Sequence, residues 1–268
     1  MSDLGEQAMG LLAQVESSAV WYHTLDLGFG VVTPGIYDLR KIGTRAQFPT
    51  SFEGKRCLDV GTADGYWAFE MERRGALEVV ATDVNDASKH DWPATINDPK
   101  VRSSRSGQHD RNFAIAKTAL RSRVQKLDIS PYDLNPATLG YFDFVFMGSI
   151  LLHLRDPHRA LAAVRTVTRG ELLSNDVFSL GMTVVHPLGA TSRITANRDV
   201  EWAIPNYAGL RRYYEAAGFD IISMGLPYRL PFGVGFRGRG HRLLRSPLWR
   251  VPWPGLATVS VRLRPAGT

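Results

Sequence analysis

The chain has 268 residues, 44% of them apolar and 22% charged, which is enough for one large domain with a hydrophobic core. A single cysteine, Cys57, excludes an intrachain disulfide and any site built from several cysteines, and it favours a reducing compartment. The N-terminus carries acids where a signal peptide needs positive charge, and the longest strongly apolar run, Phe144 to Leu154, is too short to cross a bilayer. We therefore expect a soluble, cytoplasmic protein with no membrane partner.

The net charge of +6 is concentrated near the C-terminus. Residues 221–268 contain no acidic residue and no lysine. They contain eight arginines: Arg229, Arg237, Arg239, Arg242, Arg245, Arg250, Arg262 and Arg264. Asp220 itself directly precedes this stretch. The arginines indicate either a surface for an anionic partner, such as phosphate or nucleic acid, or simply a solvated surface.

Short β-rich runs alternate with helical patterns along the chain, which predicts a parallel α/β sheet. The predicted strands are 56–61, 77–84, 123–129, 141–148, 171–178, 219–225 and 257–264, and we expect the last to be antiparallel. The predicted helices are 66–74, 111–120, 157–168 and 207–217. Gly75, Gly170 and Gly218 stand where three of the helices should stop.

Two kinds of segment interrupt this alternation. Residues 1–50 precede the first strand and form a helical and aromatic cap segment, whereas 51–268 form the main domain. Residues 179–206 and 226–255 are irregular insertions rich in proline. Because an open α/β sheet binds ligands beyond the carboxyl ends of its strands, we expect these segments to form pocket walls.

The first strand leads into a turn of small residues that opens a helix. Gly61 and Gly65 allow a tight turn and let a ligand approach the backbone near the positive end of the helix. The second strand ends at Asp83, where a carboxylate can accept hydrogen bonds from two ribose hydroxyls. The turn therefore predicts a nucleoside-binding site.

A dinucleotide is one candidate ligand for such a turn. Its G-x-G-x-x-G fingerprint needs glycine at the positions held by Ala63 and Tyr66, so the pattern does not match. S-adenosylmethionine carries an ammonium and a sulfonium, and the carboxylates of Asp59 and Asp64 suit these cations but would repel a diphosphate. The turn thus favours S-adenosylmethionine as the cofactor.

Several motifs together resemble those of class I S-adenosylmethionine-dependent methyltransferases. They are the turn, Asp83, LDI at 127–129 and FDFVFMGSILLHLRDP at 142–157. More narrowly, WYHTLDLGFGVVTPG, DGYWAFEMERRGA and LLHLRDP resemble the tRNA (mo5U34)-methyltransferase-like family, over about residues 20–225. The resemblance implies a Rossmann-like α/β fold with a seven-stranded mixed sheet and helices on both faces.

The resemblance also assigns cofactor contacts. Residues around the methionine moiety would be Asp59, Gly61, Ala63 and Gly65. Asp83 would bind the ribose, Val84 would pack on the adenine, Asp128 and Ile129 would meet the adenine edge, and Met147 and Gly148 would close the site. The alternatives are plain turns for the glycines and a helix cap for Asp128.

This chain departs from the family at two positions. Ala63 replaces the central glycine of the turn, which is tolerable if its φ is negative. Leu152 replaces a tyrosine that helps the carboxymethylating family member bind the carboxylate of a modified cofactor. Leucine cannot hydrogen-bond a carboxylate, so we expect unmodified S-adenosylmethionine and transfer of a methyl group.

The acceptor side of the site is less defined. His153, after the fourth strand, and His23, in the cap segment, are rival candidates for a general base. Candidate substrate-binding residues are Trp21, Tyr22, Arg155, Trp202 and Asn206, each of which has packing or local pairing as its alternative role. No histidine pair has metal-ligand spacing, so we expect no metal site.

We therefore predict an S-adenosylmethionine-dependent methyltransferase acting on an oxygen, nitrogen or carbon atom of a small-molecule acceptor, which the arginines would suit if it is anionic. A tRNA wobble-uridine modifying enzyme is the first alternative. A non-catalytic protein that binds S-adenosylmethionine is the second.

Overall fold

The structure is a computed structural model that describes residues 3–96, 108–195, 201–236 and 257–267. In chain order the strands are β1 (Trp21–His23), β2 (Gly35–Tyr37), β3 (Arg56–Val60), β4 (Glu78–Asp83), β5 (Gln125–Asp128), β6 (Phe142–Gly148), β7 (Thr168–Val177), β8 (Ser192–Ile194), β9 (Ala203–Pro205), β10 (Phe219–Met224), β11 (Tyr228–Arg229) and β12 (Ala257–Pro265). The helices are α1 (Asp3–Glu16), α2 (Tyr66–Arg73), α3 (Gln108–Ala119), α4 (Pro136–Leu139), α5 (Pro157–Val167), α6 (Leu180–Val185) and α7 (Tyr207–Ala216). Ala87–Lys89 and Leu151–His153 form 3₁₀ turns.

The central sheet has the strand order β10-β12-β7-β6-β3-β4-β5, and β11 pairs with β12 outside this path. Neighbouring strands from β7 to β5 are parallel, whereas β12 runs antiparallel to both β7 and β10. The predicted seven-stranded mixed sheet with an antiparallel last strand is confirmed, and the short β11 adds an eighth strand that the sequence pattern did not indicate.

Both faces of the sheet are covered by helices, as predicted. In β6, side chains alternate between the faces because successive residues of a strand point in opposite directions. Phe144 and Phe146 pack in the core that includes α2 and α3, and Val145 and Met147 pack in the core that includes α5 and α7. We call these the α2 face and the α5 face. The apolar contacts on these two faces hold the sheet between two layers of helices.

The predicted helix stops hold at two of the three glycines. Gly75 and Gly218 follow α2 and α7 with φ of 88° and 81°, a left-handed conformation that glycine adopts without strain. The prediction for Gly170 is wrong, because α5 ends at Val167 and Gly170 lies inside β7. A Cβ atom there would lie 2.2 Å from the carbonyl oxygen of Asp143, so glycine is needed for close strand approach.

The cap segment packs on the α2 face. Its strands β1 and β2 form a parallel pair, with Trp21 opposite Gly35 and His23 opposite Tyr37. Trp21 is fully buried in the core that contains α2, and its indole N–H donates to the carbonyl of Val15 at 3.1 Å. Trp21 thus holds the cap segment on the sheet rather than presenting its ring to a ligand.

The insertions are described only in part. Residues 179–206 contain α6 and the antiparallel pair β8–β9, with 196–200 outside the described residues. Five of the eight C-terminal arginines (Arg237, Arg239, Arg242, Arg245 and Arg250) also lie outside them. In the ranges that the structure covers, every helix is too short or too polar to cross a membrane.

Asn206 has a structural role at the start of α7. Its Oδ1 accepts the N–H groups of Gly209 and Thr191 at 2.8 and 3.1 Å. Its Nδ2 donates to the carbonyls of His186 and Gly189, each at 2.8 Å. A carboxamide has two donors and two lone pairs, so these four bonds leave no capacity for a substrate. Asn206 therefore stabilises the fold and does not belong to the candidate site.

We expect Asn206→Ala to lower the free energy of unfolding by about 2–3 kcal/mol, because it deletes a helix cap and leaves buried backbone groups without partners. Asn206→Asp keeps the two accepted bonds but sets a carboxylate oxygen against the carbonyls of His186 and Gly189, so it should also be destabilised. Urea unfolding followed by circular dichroism measures both. An alanine variant as stable as the parent would refute this structural role.

Candidate functional site

Two adjoining cavities lie beyond the carboxyl ends of the parallel strands. The larger cavity measures about 210 Å³ and lies beyond β3, β4 and β6. Five predicted cofactor residues line it: Gly61, Ala63, Asp83, Val84 and Gly148. The smaller cavity measures about 30 Å³ and lies on the α2 face. Tyr22, Gly61, Gly148 and Ser149 line both, so the cavities meet at these residues.

The turn between β3 and α2 has an unusual backbone. Gly61 has a φ of 74°, and Ala63 has a φ of 50°. The condition that would make alanine tolerable here, a negative φ, is not met, and an alanine in this left-handed region costs about 1–2 kcal/mol. The Asp83 carboxylate offsets the strain by accepting the Ala63 N–H at 2.7 Å, while Gly61 donates to the Thr82 carbonyl at 2.8 Å.

Asp83 therefore shapes the turn as well as lining the larger cavity. Its other oxygen accepts the N–H of Val84 at 2.8 Å. Each carboxylate oxygen has two lone pairs, so one acceptor position remains on each. The arrangement is suited to a ligand with two neighbouring hydroxyls.

Four predicted cofactor residues do not line either cavity. Gly65 caps α2, and a Cβ atom there would lie 2.5 Å from the Phe69 ring. Met147 is fully buried on the α5 face. Asp128 accepts the Asn85 N–H at 3.0 Å, and the Ile129 N–H donates to the Asp83 carbonyl at 3.0 Å. Asp128 and Ile129 stay beside the cavity, since the next residue, Ser130, lines it.

Asp59 is a buried carboxylate on the wall of the smaller cavity. Its side chain is on the α2 face of β3, and the residue is only 1% exposed. Burial raises its pKa to about 6, although a hydrogen bond from the Thr62 hydroxyl, 2.6 Å long, and the nearby His23 side chain oppose the rise. An ionised Asp59 in this position attracts a cation.

Asp64 does not face a ligand as the sequence suggested. Its Oδ2 accepts the backbone N–H groups of Tyr22 and His23 at 2.8 and 2.9 Å, and its Oδ1 contacts His23 Nδ1 closely. Burial would raise the pKa of Asp64, but the charge and hydrogen bonds of His23 outweigh burial and lower it. The carboxylate fastens the cap segment to the turn and orients the imidazole, which lines the smaller cavity.

His153 lies in the 3₁₀ turn after β6 and lines the larger cavity. Two contacts with β7 hold this turn. The Ser149 N–H donates to the Asn175 carbonyl at 2.8 Å, and Asp176 Oδ1 accepts the Leu151 N–H at 3.2 Å. Sequence reasoning missed Asp176, because its partners lie on another strand and no local motif marks it.

Arg155 and Trp202 do not line the larger cavity but contact Asp91, which does. The Arg155 guanidinium lies over the Trp202 ring, 4.9 Å from its centre. The Trp202 indole N–H donates to the Asp91 carbonyl at 2.7 Å, and the Arg155 N–H donates to Asp91 Oδ2 at 2.8 Å. Asp91, rather than either of these residues, lines the cavity.

Tertiary structure adds residues that no sequence motif indicated. His109 of α3 lines the larger cavity, and burial lowers its pKa although Asp83 and Asp64 oppose the shift. Asn175 lines the smaller cavity together with Tyr37, Trp67 and Phe146. Within the described ranges, no group of three or more histidine, cysteine or acidic residues is arranged to hold a metal ion.

Comparison with known proteins identifies related sequences and folds. A family model described as a methyltransferase domain matches residues 36–224, well over half of the chain. A tRNA U34 carboxymethyltransferase of Pseudomonas fluorescens is 28% identical over 174 residues, which are 64% of this chain and 48% of that protein. The chain thus spans about half the length of the curated relatives it matches.

Two solved structures share the fold at low identity. The N-terminal domain of EvdMO1 with S-adenosylhomocysteine bound gives a TM-score of 0.54 at 15% identity, over 99% of this chain and 98% of that one. The cyclase SpnF gives a TM-score of 0.57 at 16% identity, over 97% of this chain and 93% of that one. At these identities the likeness shows the fold alone.

We expect the buried Asp59 to make stability depend on pH. The folded chain ionises Asp59 at about pH 6, whereas the ordinary pKa of an aspartate is 3.8. The contribution of Asp59 to stability is therefore present below about pH 4 and is lost as the pH rises to about 6. Between pH 4 and 7 the parent should lose about 3 kcal/mol more unfolding free energy than Asp59→Asn.

Urea unfolding at several pH values measures this difference. Asp133→Asn serves as the matched control, because the Asp133 side chain is 67% exposed. If the parent and Asp59→Asn show the same dependence on pH, then Asp59 is not the buried titrating group described above.

Proposed function

We propose, since the chain belongs to the methyltransferase-domain family, that it transfers the methyl group of S-adenosylmethionine to an oxygen, nitrogen or carbon atom of a small molecule. The observation that carries this proposal is the pair of adjoining cavities at the strand ends. The larger has the carboxylate and small-residue turn of a nucleoside site, and the smaller has aromatic walls. S-adenosylmethionine is the cofactor, and when bound it supplies a methyl group on a positively charged sulfur together with its own leaving group.

The residues of the larger cavity fit this cofactor. Asp83 retains acceptor capacity for the ribose hydroxyls, and Val84 lies beside it for packing against the adenine. The buried Asp59, next to the shared Gly61, favours a cationic ligand. A diphosphate would meet these carboxylates with repulsion, which supports a nucleoside without phosphate.

The protein's main contribution is to position the acceptor in a site from which water is excluded. The smaller cavity supports this role, because Tyr37, Trp67 and Phe146 line it and Trp67 and Phe146 are buried. It adjoins the larger cavity at Gly61 and Gly148, so an acceptor group there would lie next to the cofactor. Tyr22 lines both cavities, so its side chain is placed to shield both the cofactor and the acceptor from solvent.

His23 is the better supported of the two candidate bases. It lines the smaller, acceptor-side cavity, and Asp64 holds its Nδ1 in the manner in which a carboxylate orients a catalytic histidine. His153 lines the larger cavity, where we place the cofactor. We therefore propose that His23 accepts the proton of a hydroxyl acceptor, and that His153 shapes the wall of the cofactor site.

A tRNA acceptor is the second candidate, because the curated relatives are named tRNA U34 carboxymethyltransferases. One observation counts against it. Arg262 pairs with Glu171 at 2.6 Å and Arg264 lies 3.5 Å from Asp220, so these two arginines are already engaged by acids. Leu152 replaces the tyrosine expected for a carboxymethyl donor, which favours transfer of a methyl group to either kind of acceptor. A cofactor-binding protein without catalysis is the remaining alternative.

We expect the purified chain to transfer labelled methyl groups from S-adenosylmethionine to a compound in a metabolite extract and not to bulk tRNA. Chromatography of the labelled products separates the two outcomes. Label in tRNA would replace the small-molecule proposal with the tRNA alternative, and binding without any transfer would favour the non-catalytic alternative.

Asp83→Ala tests the cofactor site directly. It should weaken cofactor binding by about 1.5–3 kcal/mol through loss of charge-assisted hydrogen bonds. Asp128→Ala is the matched variant, because the Asp128 carboxylate lies outside the cavity lining. Titration calorimetry with S-adenosylhomocysteine should separate the two variants. Equal affinities for Asp83→Ala and the parent would exclude Asp83 from the site.

With a hydroxyl acceptor in hand, we expect His23→Asn to lower kcat by about 10²–10⁴-fold, because the variant lacks the proposed general base. Asparagine can still donate to Asp64, so the cap segment should stay in place. His153→Asn should lower kcat less than tenfold. The reverse ranking, measured by steady-state kinetics, would assign the base to His153.

A further inference from the structure

Asn175 is a buried amide without hydrogen-bond partners. It is 3% exposed and lines the smaller cavity. Neither Oδ1 nor Nδ2 has a partner among the described residues. Buried amides in folded proteins are nearly always paired, so an unpaired one on a cavity wall indicates a ligand.

The strand determines where this amide points. Residues of β7 alternate between the faces, with Leu173 in the core of the α2 face and Leu172 in that of the α5 face. Asn175 has the same orientation as Leu173 and lies opposite Gly148 of β6, where the two cavities meet. Its backbone carbonyl accepts the Ser149 N–H, which keeps the residue in the sheet.

The surroundings select for an uncharged group. Among the described residues that line the smaller cavity, none is a lysine or an arginine. The lining includes the carboxylate of Asp59 and the imidazole of His23, whose Nδ1 contacts Asp64. An anion would therefore meet the Asp59 carboxylate and would find no lysine or arginine to pair with on the described walls. At about 30 Å³ the cavity has room for the polar edge of a molecule rather than for the whole molecule.

We propose that Asn175 selects the methyl acceptor by a two-point hydrogen bond to an uncharged edge with a donor and an acceptor on adjacent atoms, as in a lactam. The carboxamide Oδ1 accepts from the donor and Nδ2 donates to the acceptor atom. The aromatic side chains of Tyr37 and Trp67 pack against the rest of the inserted group. This inference rests on the proposed function and names the substrate class of the same site.

The test uses the lactam 2-pyridone as probe and benzoate as an anionic counterpart of similar size. Affinities are measured by ligand-observed NMR on the full chain saturated with S-adenosylhomocysteine. The parent should bind 2-pyridone and bind benzoate at least tenfold more weakly. Asn175→Leu, which is close in shape and apolar, should bind 2-pyridone at least tenfold more weakly than the parent.

Two controls separate the possible outcomes. S-adenosylhomocysteine should bind Asn175→Leu within about twofold of the parent, because Asn175 lines only the smaller cavity. Asn206→Ala, a second buried carboxamide change, should lower stability and leave the 2-pyridone affinity unchanged.

Equal 2-pyridone affinity for the parent and Asn175→Leu would mean that the amide holds only a buried water, and the inference would fail while the proposed function stands. Tighter binding of benzoate than of 2-pyridone would overturn the substrate class. Failure of the parent to bind S-adenosylhomocysteine would remove the proposed function and this inference together.

Discussion

The buried carboxylate of Asp64 joins the two parts of the chain that form the site. It lies in the turn after β3 and accepts bonds from the Tyr22 and His23 backbone and from the His23 ring. Since the residue is fully buried, these bonds must compensate for the loss of water around the charge. They hold β1 against the strand ends, so Tyr22 and His23 form walls of the cavities. Without this attachment the cavities would lack one side.

The turn itself illustrates how one carboxylate can serve structure and ligand binding together. Asp83 accepts the N–H of Ala63, which adopts a left-handed conformation that alanine rarely takes. The same side chain retains acceptor capacity on the cavity side. A cofactor that donates hydrogen bonds to Asp83 therefore meets a group already fixed in position, which reduces the entropy lost on binding.

The fold by itself does not choose the reaction or the acceptor. A cyclase and an S-adenosylhomocysteine-binding domain both superpose on this chain. In the proposed function the acceptor depends on the smaller cavity, whose residues come from the cap segment, β3, α2, β6, β7 and the segment after β11. These segments are far apart along the chain. Their side chains meet because β6 and β7 lie side by side and the cap segment crosses the ends of both strands.

The sequence by itself determined the sheet, its helices, the turn and the family, because period-two and helical patterns and adjacent motif residues are local properties of the chain. It also predicted Asp59, Gly61 and Asp83 as site residues, and these line the two cavities. Only the tertiary structure decided that Asp64 binds His23, that Trp21 and Asn206 serve packing and capping, and that Gly170 lies within a strand. It alone brought Asn175 and His109 to the cavities. Each of these features depends on partners that are distant in sequence. Strand order and the burial of charge bring those partners together, and a local sequence pattern contains no signal for either.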